Sequence, residues 1–236
     1  MTEEARRDPE RWRLDEMPVL VAEARACGDQ SLEAEVLRRY GFAVPTDAAL
    51  DAIVACSPGG VLELGAGTGH WSALVARRGV DVVAYDVAPP PSPANAWFAG
   101  VQPWHHVHPG DERVVEACAE RSLLLVWPTR NETWASDAVD RYHAAGGHHV
   151  LFVGEGPGGR TGDSGLHARL GETDGCIACG YGVADTACTC GIDAHWTRTS
   201  RTPLPPWHGA DTALYVYEPA RAKGRRSSRR WARRHR

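Results

Sequence analysis

Apolar and polar residues along this chain change their period near residue 60. Before that point Leu20, Val21, Leu32, Val36 and Leu37 recur at helical spacing within a stretch rich in Glu, Arg, Ala and Leu, which predicts one or two amphipathic helices over residues 2–40. Thr46 is placed to N-cap a further helix through Cys56, with Leu50, Ile53 and Val54 on one side and Ser57-Pro58-Gly59-Gly60 as its stop. From Val61 onward short apolar runs alternate with helical stretches: VLEL (61–64), a helix near His70–Arg78, DVVAYD (81–86), a short run at His105–Val107, LLLVW (123–127), a helix near Glu132–Ala145, and HVLFVG (149–154). Near-continuous apolar strands separated by helices predict a parallel sheet covered on both faces. The runs HWTRTS (195–200) and ALYVYE (213–218), with PLPPWHG between them, predict an antiparallel pair closing one edge. Pro89, Pro90, Pro91 and Pro93 mark a stiff loop after the second strand, and no internal repeat is visible.

Composition fits this picture. With 236 residues, 43% of them hydrophobic and 24% charged, the chain can bury one sizeable core, so one main domain is expected. The division that follows is an N-terminal helical cap at 1–45, an α/β domain at 46–220 carrying a small Cys-rich insertion at about 174–192, and a basic tail at 221–236. No apolar run approaches the ~20 residues needed to span a bilayer. The N-terminus MTEEARRDPERWRLDE is too charged for a secretory signal, so a cytoplasmic location without a membrane partner is expected.

The tail changes the reading of charge. Residues 221–236 carry nine Lys or Arg and no acid, leaving 17 basic against 30 acidic residues elsewhere. So polar a segment is expected to be disordered until it meets a polyanion or an acidic surface. Nucleic acid is one such partner, with Trp231 available to stack on a base; a solubilising extension, or one that folds back on the acidic body, is the other reading.

The densest chemistry lies in VLELGAGTGHWSALVARRGVDVVAYD, Val61 to Asp86: a buried strand, a turn with glycines at 65, 67 and 69, a helix, a second strand and a terminal carboxylate. Glycines let the backbone turn tightly and let a ligand approach it, and the following helix offers free N–H groups. An acid at the end of the second strand can accept both hydroxyls of a ribose, which Asp86 fits. A dinucleotide site would show G-x-G-x-x-G, whereas this chain has G-x-G-x-G preceded by Glu63.

E-L-G-A-G-T-G followed by an acid at the end of the next strand resembles motifs I and II of the class I, Rossmann-like S-adenosylmethionine-dependent methyltransferases. The resemblance covers about residues 46–155. It implies a mostly parallel seven-stranded sheet with an antiparallel C-terminal strand pair, S-adenosylmethionine as cofactor, and Gly65, Ala66, Gly67 and Gly69 along its methionine and ribose part. Glu63 belongs to the same binding segment, and Asp86 would hold the ribose. The Gly110-Asp111 pair resembles the third family motif, whose acid reaches the adenine amino group.

Ligands of open α/β sheets sit at the carboxyl ends of the strands. The residues after the fourth and fifth strands, Trp127-Pro128-Thr129-Arg130 and Gly154-Glu155-Gly156, are therefore expected to face the acceptor, with Trp127, Thr129 and Arg130 binding it. Amino-methyltransferases of the family carry D/N-P-P-Y/F at the first place; here it is W-P-T-R, and the Trp127 indole offers only a donor nitrogen. Methyl transfer is an in-line displacement that positioning and water removal can accelerate, so a base is optional. Glu155 is the candidate base, through a pKa raised by partial desolvation; the other reading is a carboxylate that binds neighbouring backbone N–H groups in a glycine loop. Arg160, Asp163 and His167 are further acceptor-binding candidates from the loop GPGGRTGD, read as flexible enough to close.

Cys176, Cys179, Cys188 and Cys190 form C-x2-C-x8-C-x-C among glycines, four of the seven cysteines in the chain. Thiolates so spaced can surround structural zinc, with His195 able to replace one; redox-active or merely exposed thiols are the alternative. The expected activity is methyl transfer to a nitrogen or oxygen of a small-molecule or peptide acceptor. The alternatives are a nucleic-acid methyltransferase that uses the basic tail, and a non-catalytic cofactor-binding scaffold.

Overall fold

A computed structural model describes residues 13–172, 195–207 and 211–220. The cysteines 176, 179, 188 and 190, the expected insertion at 174–192 and the basic tail at 221–236 lie outside the described residues.

Two helices come first, α1 (Met17–Cys27) and α2 (Gln30–Tyr40), joined through Gly28 in the left-handed conformation (φ 63°). Asp29 caps α2 by accepting the backbone N–H groups of Ser31 and Leu32 at 3.0 and 3.1 Å. Their apolar stripes, including Met17, Leu20, Leu32, Val36 and Tyr40, form a cluster of their own that is closed by Trp207 from the β6–β7 connection described below. Helix α3 (Asp47–Ala55) begins at the expected cap, Thr46 Oγ1 accepting the Ala49 N–H at 3.3 Å. Such a cap contributes about 1 kcal/mol.

The α/β part follows as β1 (Val61–Leu64), α4 (His70–Ala76), β2 (Val82–Asp86), β3 (Val107–Pro109), a 3-10 helix at Glu112–Cys118, β4 (Ser122–Val126), α5 (Trp134–Ala144), β5 (Val150–Glu155), α6 (Ser164–Arg169), β6 (Trp196–Pro203) and β7 (Thr212–Pro219). The seven strands form one sheet in the order β3-β2-β1-β4-β5-β7-β6. Strands β1 to β5 run parallel; β7 is antiparallel to β5 and to β6, the edge pair expected from the C-terminal runs.

Side-chain alternation divides the core between the two faces. Val61, Leu124, Leu151 and Val153 join α3 and α4 residues such as Ile53 and Leu74 on one face. Leu62, Leu64, Leu123, Leu125 and Phe152 join Val139 and Tyr142 of α5 on the other. Burial on both faces is why β1, β4 and β5 read as continuous apolar runs.

Two local expectations are corrected. The third strand starts at Val107 rather than His105, because its pairing with β2 runs from Ala84↔Val107 to Asp86↔Pro109. The GPGGRTGD loop is not a free flap. Asp163 caps α6, accepting from Leu166 N at 3.0 Å and Gly165 N at 3.2 Å, and His167 is buried with Nε2 against the Thr161 carbonyl at 3.0 Å. Among the described residues no helix is long and apolar enough to cross a membrane.

Candidate active site

The carboxyl ends of β1, β2 and β4 open into a cavity of about 740 Å³, bounded on the far side by the end of α2 and the residues after it. The cap is fastened to the sheet by polar contacts. His70 Nε2 meets the Leu14 carbonyl at 2.8 Å, Trp71 Nε1 donates to Ala43 O at 3.3 Å, and Trp104 Nε1 donates to Arg39 O at 2.9 Å. Residues 13–45 thus form a fixed wall that brings Phe42 to the cavity.

The floor is the turn after β1. Gly65, Gly67 and Gly69 have φ of 69°, 51° and 66°, a region that costs an L side chain about 1–2 kcal/mol. Ala66 N donates to Tyr85 O at 2.9 Å and Gly67 N to Asp86 Oδ2 at 2.9 Å, so the turn is bound to the end of β2 at two points. A Cβ at Gly65 would stand 2.7 Å from the Trp134 ring and one at Gly67 2.5 Å from Phe98, so those rings pack against bare backbone.

Of the five carboxylates that line the cavity, Glu63, Asp86 and Asp111 are in different states. Glu63 is almost wholly buried; its Oε2 accepts the Ser72 N–H at 2.9 Å and the Ser72 hydroxyl, and burial pushes its pKa up to about 7. Asp86 is half-buried, with Oδ1 accepting the Ala88 N–H at 3.0 Å in addition to the Gly67 bond. Asp111 caps the 3-10 helix, accepting the Arg113 N–H at 3.1 Å, and its hydrogen bonds to the Arg113 guanidinium hold its pKa down to about 2. Asp111 therefore already has a charged partner where the sequence suggested an adenine contact.

The opposite half of the cavity is aromatic. Trp127 leaves β4 with φ 51°, rare for a bulky residue, held by its N–H to Val153 O at 2.8 Å. Its ring lies near-parallel to Phe42, with centroids 6.2 Å apart, and Phe42 also meets Trp97 at 5.5 Å and Phe98 at 6.0 Å. Thr129 and Arg130 line the same half. The loops after β4 and β5 are joined by Gly162 N to Pro128 O at 2.9 Å and Asn131 N to Gly162 O at 3.1 Å.

Glu155 does not line the cavity. Its Oε1 accepts from Arg160 Nε at 2.9 Å, its Oε2 accepts the Arg160 backbone N–H at 2.6 Å, and its own N–H donates to Thr161 Oγ1 at 2.9 Å. Of the two readings open to it, the structure shows the carboxylate that secures a glycine loop. Arg160, which it orients, does reach the cavity, its guanidinium carbon 5.9 Å from the Trp127 ring centroid. Asp163 and His167, occupied as described above, do not line it.

The seven mostly parallel strands and the antiparallel C-terminal pair are what the resemblance of the glycine motif implies, and the structure adds their order, with β7 between β5 and β6. The fold is a mixed α/β sheet of the kind that the class I methyltransferase resemblance implies. No family model matches the chain, and no curated protein matches it. Solved structures that resemble it include the magnesium protoporphyrin IX methyltransferase of Synechocystis PCC 6803 with bound S-adenosylmethionine: 12% identity, 74% of this chain and 77% of that one covered, TM-score 0.41. A Burkholderia thailandensis 1,6-didemethyltoxoflavin N1-methyltransferase with bound S-adenosylhomocysteine is 16% identical over 86% and 87% of the two chains, TM-score 0.38. A structure describing conversion of a disulfide bond into a thioacetal group in echinomycin biosynthesis is 16% identical over 74% and 82%, TM-score 0.43.

The sequence-predicted residues Glu63, Gly65, Ala66, Gly67, Asp86, Asp111, Trp127, Thr129 and Arg130 all border one cavity. Gly69 stands behind it, its Cβ position 3.1 Å from Val107 of β3. Phe42, Trp97, Phe98 and Trp134 were not foreseen. A tryptophan–phenylalanine pair in a Pro- and Ala-rich connection was the available signal, since large rings in a loop need a reason to be there. Among the described residues no group of three or more His, Cys, Asp or Glu side chains is arranged to hold a metal.

Proposed function

We propose that this protein is an S-adenosylmethionine-dependent methyltransferase acting on a small-molecule acceptor. The observation that carries the reading is the turn of left-handed glycines bound to Asp86, opening into a cavity that continues to the aromatic half at Trp127. The residues suit the cofactor chemically. The glycine turn lines the cavity with backbone, the lone pairs of Asp86 left by its two N–H bonds can accept ribose hydroxyls, and Glu63 places an acid beside a ligand that carries positive charge. Bound there, S-adenosylmethionine would supply the electrophilic methyl group. The chain's own contribution is positioning and exclusion of water by the cap and the rings, since Glu155 is occupied by Arg160.

Calorimetric titration of the full-length protein with S-adenosylhomocysteine tests this. Micromolar binding, about −8 kcal/mol, is expected. Absence of binding by folded protein would overturn the proposal. A second reading, a cofactor-binding protein without transfer activity, is favoured by Trp127 standing where a polar residue would receive an amine. It predicts the same titration but no transfer of labelled methyl to any acceptor.

A further inference from the structure

The unexplained feature of the cavity is its aromatic wall. Phe42, Trp97, Phe98 and Trp127 come from three separate segments and meet around the Phe42 ring. They are not simply core. Trp97 is 60% exposed and Val87 80%, so two of the three exposed large apolar side chains among the described residues border this one cavity. Apolar rings kept at the mouth of a cleft suit a flat apolar ligand better than they suit water.

Charge narrows the class. The Arg160 guanidinium already lies over Trp127, which disfavours a cationic ligand on that ring. Arg130 is exposed and makes no hydrogen bond or ion pair among the described residues; the exposed Glu132 is the acid of that side and forms no ion pair with it. The acids Asp86, Asp111 and Glu112 stand at the opposite, β2–β3 side. Among the described residues, neither Glu155 nor His70 is available as a base at the acceptor end. Glu155 is held by Arg160, and buried His70 has its pKa pushed down to about 4 by desolvation and its Nε2 on Leu14. With Arg130 and Arg160 on this side, an acceptor that needs a proton removed can lose it to solvent and be held as an anion.

We propose, building on the methyl-transfer reading, that the acceptor is a planar aromatic hydroxyl compound lying against the Phe42–Trp97–Trp127 wall and reacting as its oxyanion beside Arg130 and Arg160. The hydroxyl proton goes to water. The oxygen forms a bond to the methyl carbon, the carbon–sulfur bond breaks, and its electron pair stays on sulfur as a neutral thioether. The arginines lower the cost of the anion, as a general base otherwise would.

The test uses the full chain and three probes of matched size: 2-naphthol, its saturated analogue decahydro-2-naphthol, and a naphthyl trimethylammonium salt. Binding is measured by calorimetry with and without S-adenosylhomocysteine, and the ionisation of bound naphthol by the absorbance of the naphtholate. The naphthol is expected to bind about tenfold or more tighter than either analogue. It should ionise at least about one pH unit lower when bound than when free. Trp97→Ala, at a site 60% exposed, should weaken naphthol about fivefold or more. Arg130→Gln should return its ionisation toward the free value. Equal affinity for the saturated alcohol, tighter binding of the cation, or an ionisation that is unmoved or raised would overturn the inference. Failure of S-adenosylhomocysteine to bind would instead overturn the methyl-transfer reading, while the titrations without it still decide whether the wall takes flat hydroxyl compounds.

Discussion

The backbone N–H of Gly67 donates to Asp86 Oδ2 at 2.9 Å, closing the glycine turn of β1 onto the end of β2. One carboxylate therefore shapes the turn and faces the cavity that the turn opens into. Its other oxygen holds Ala88 N at 3.0 Å, which sets the start of the proline-rich loop carrying Trp97 and Phe98.

Asp86→Ala is accordingly expected to act on stability and binding together. Loss of two backbone bonds to a half-buried carboxylate should cost about 2 kcal/mol in urea unfolding. Affinity for S-adenosylhomocysteine should fall more than about tenfold in calorimetry. Asp86→Asn keeps one carbonyl oxygen and should lie between wild type and alanine in both. Unchanged affinity in the alanine variant would place the cofactor elsewhere.

The Glu155–Arg160 pair carries the second prediction. Because Glu155 accepts from the backbone and the guanidinium of Arg160, its removal should loosen the loop after β5 and free Arg160 from its station over Trp127. Glu155→Gln, which retains acceptor and size, should leave the pH profile of methyl transfer in place. Glu155→Ala should lower stability by about 2 kcal/mol, discounted for a guanidinium that is 44% exposed. A pH limb that disappears in the glutamine variant would restore Glu155 as a base.

The sheet was legible because its signals are local. Runs such as LLLV and VLFV have no polar face to offer water, and the glycine turn between β1 and α4 tolerates few other residues. Gly65, Asp86 and Trp127 could be placed for the same reason: each follows directly from a strand end. What could not be read depends on contacts distant in sequence. Phe42 meets Trp97 and Trp127 across 55 and 85 residues, and nothing near Phe42 marks it as part of a site. The occupancy of Glu155 and Asp111 was hidden for a different reason. Their partners Arg160 and Arg113 are close in sequence, but spacing in a loop does not say which neighbour a carboxylate will hold.

Glu63 and His70 are both buried at the glycine turn and are shifted in opposite senses, and their effects on stability should cancel. Burial raises Glu63 from 4.5 to about 7 and lowers His70 from 6.5 to about 4. Between pH 4.5 and 6.5 the unfolded chain carries one proton across the two groups, on the imidazole. The folded chain also carries one, on the carboxyl. Equal proton counts give no slope from this pair, whereas either group alone would change stability by about 1.4 kcal/mol per pH unit. A carboxyl whose pKa is raised by folding stabilises most at low pH, so His70→Gln, which leaves Glu63 acting alone, should make stability fall relative to wild type as pH rises through the window. An imidazole whose pKa is lowered by folding does the reverse, so Glu63→Gln should make relative stability rise with pH. Urea unfolding of the three proteins at about pH 4.5, 5.5 and 6.5 reads both slopes against the wild type, and variants that parallel the wild type would show that neither group is buried in its stated form.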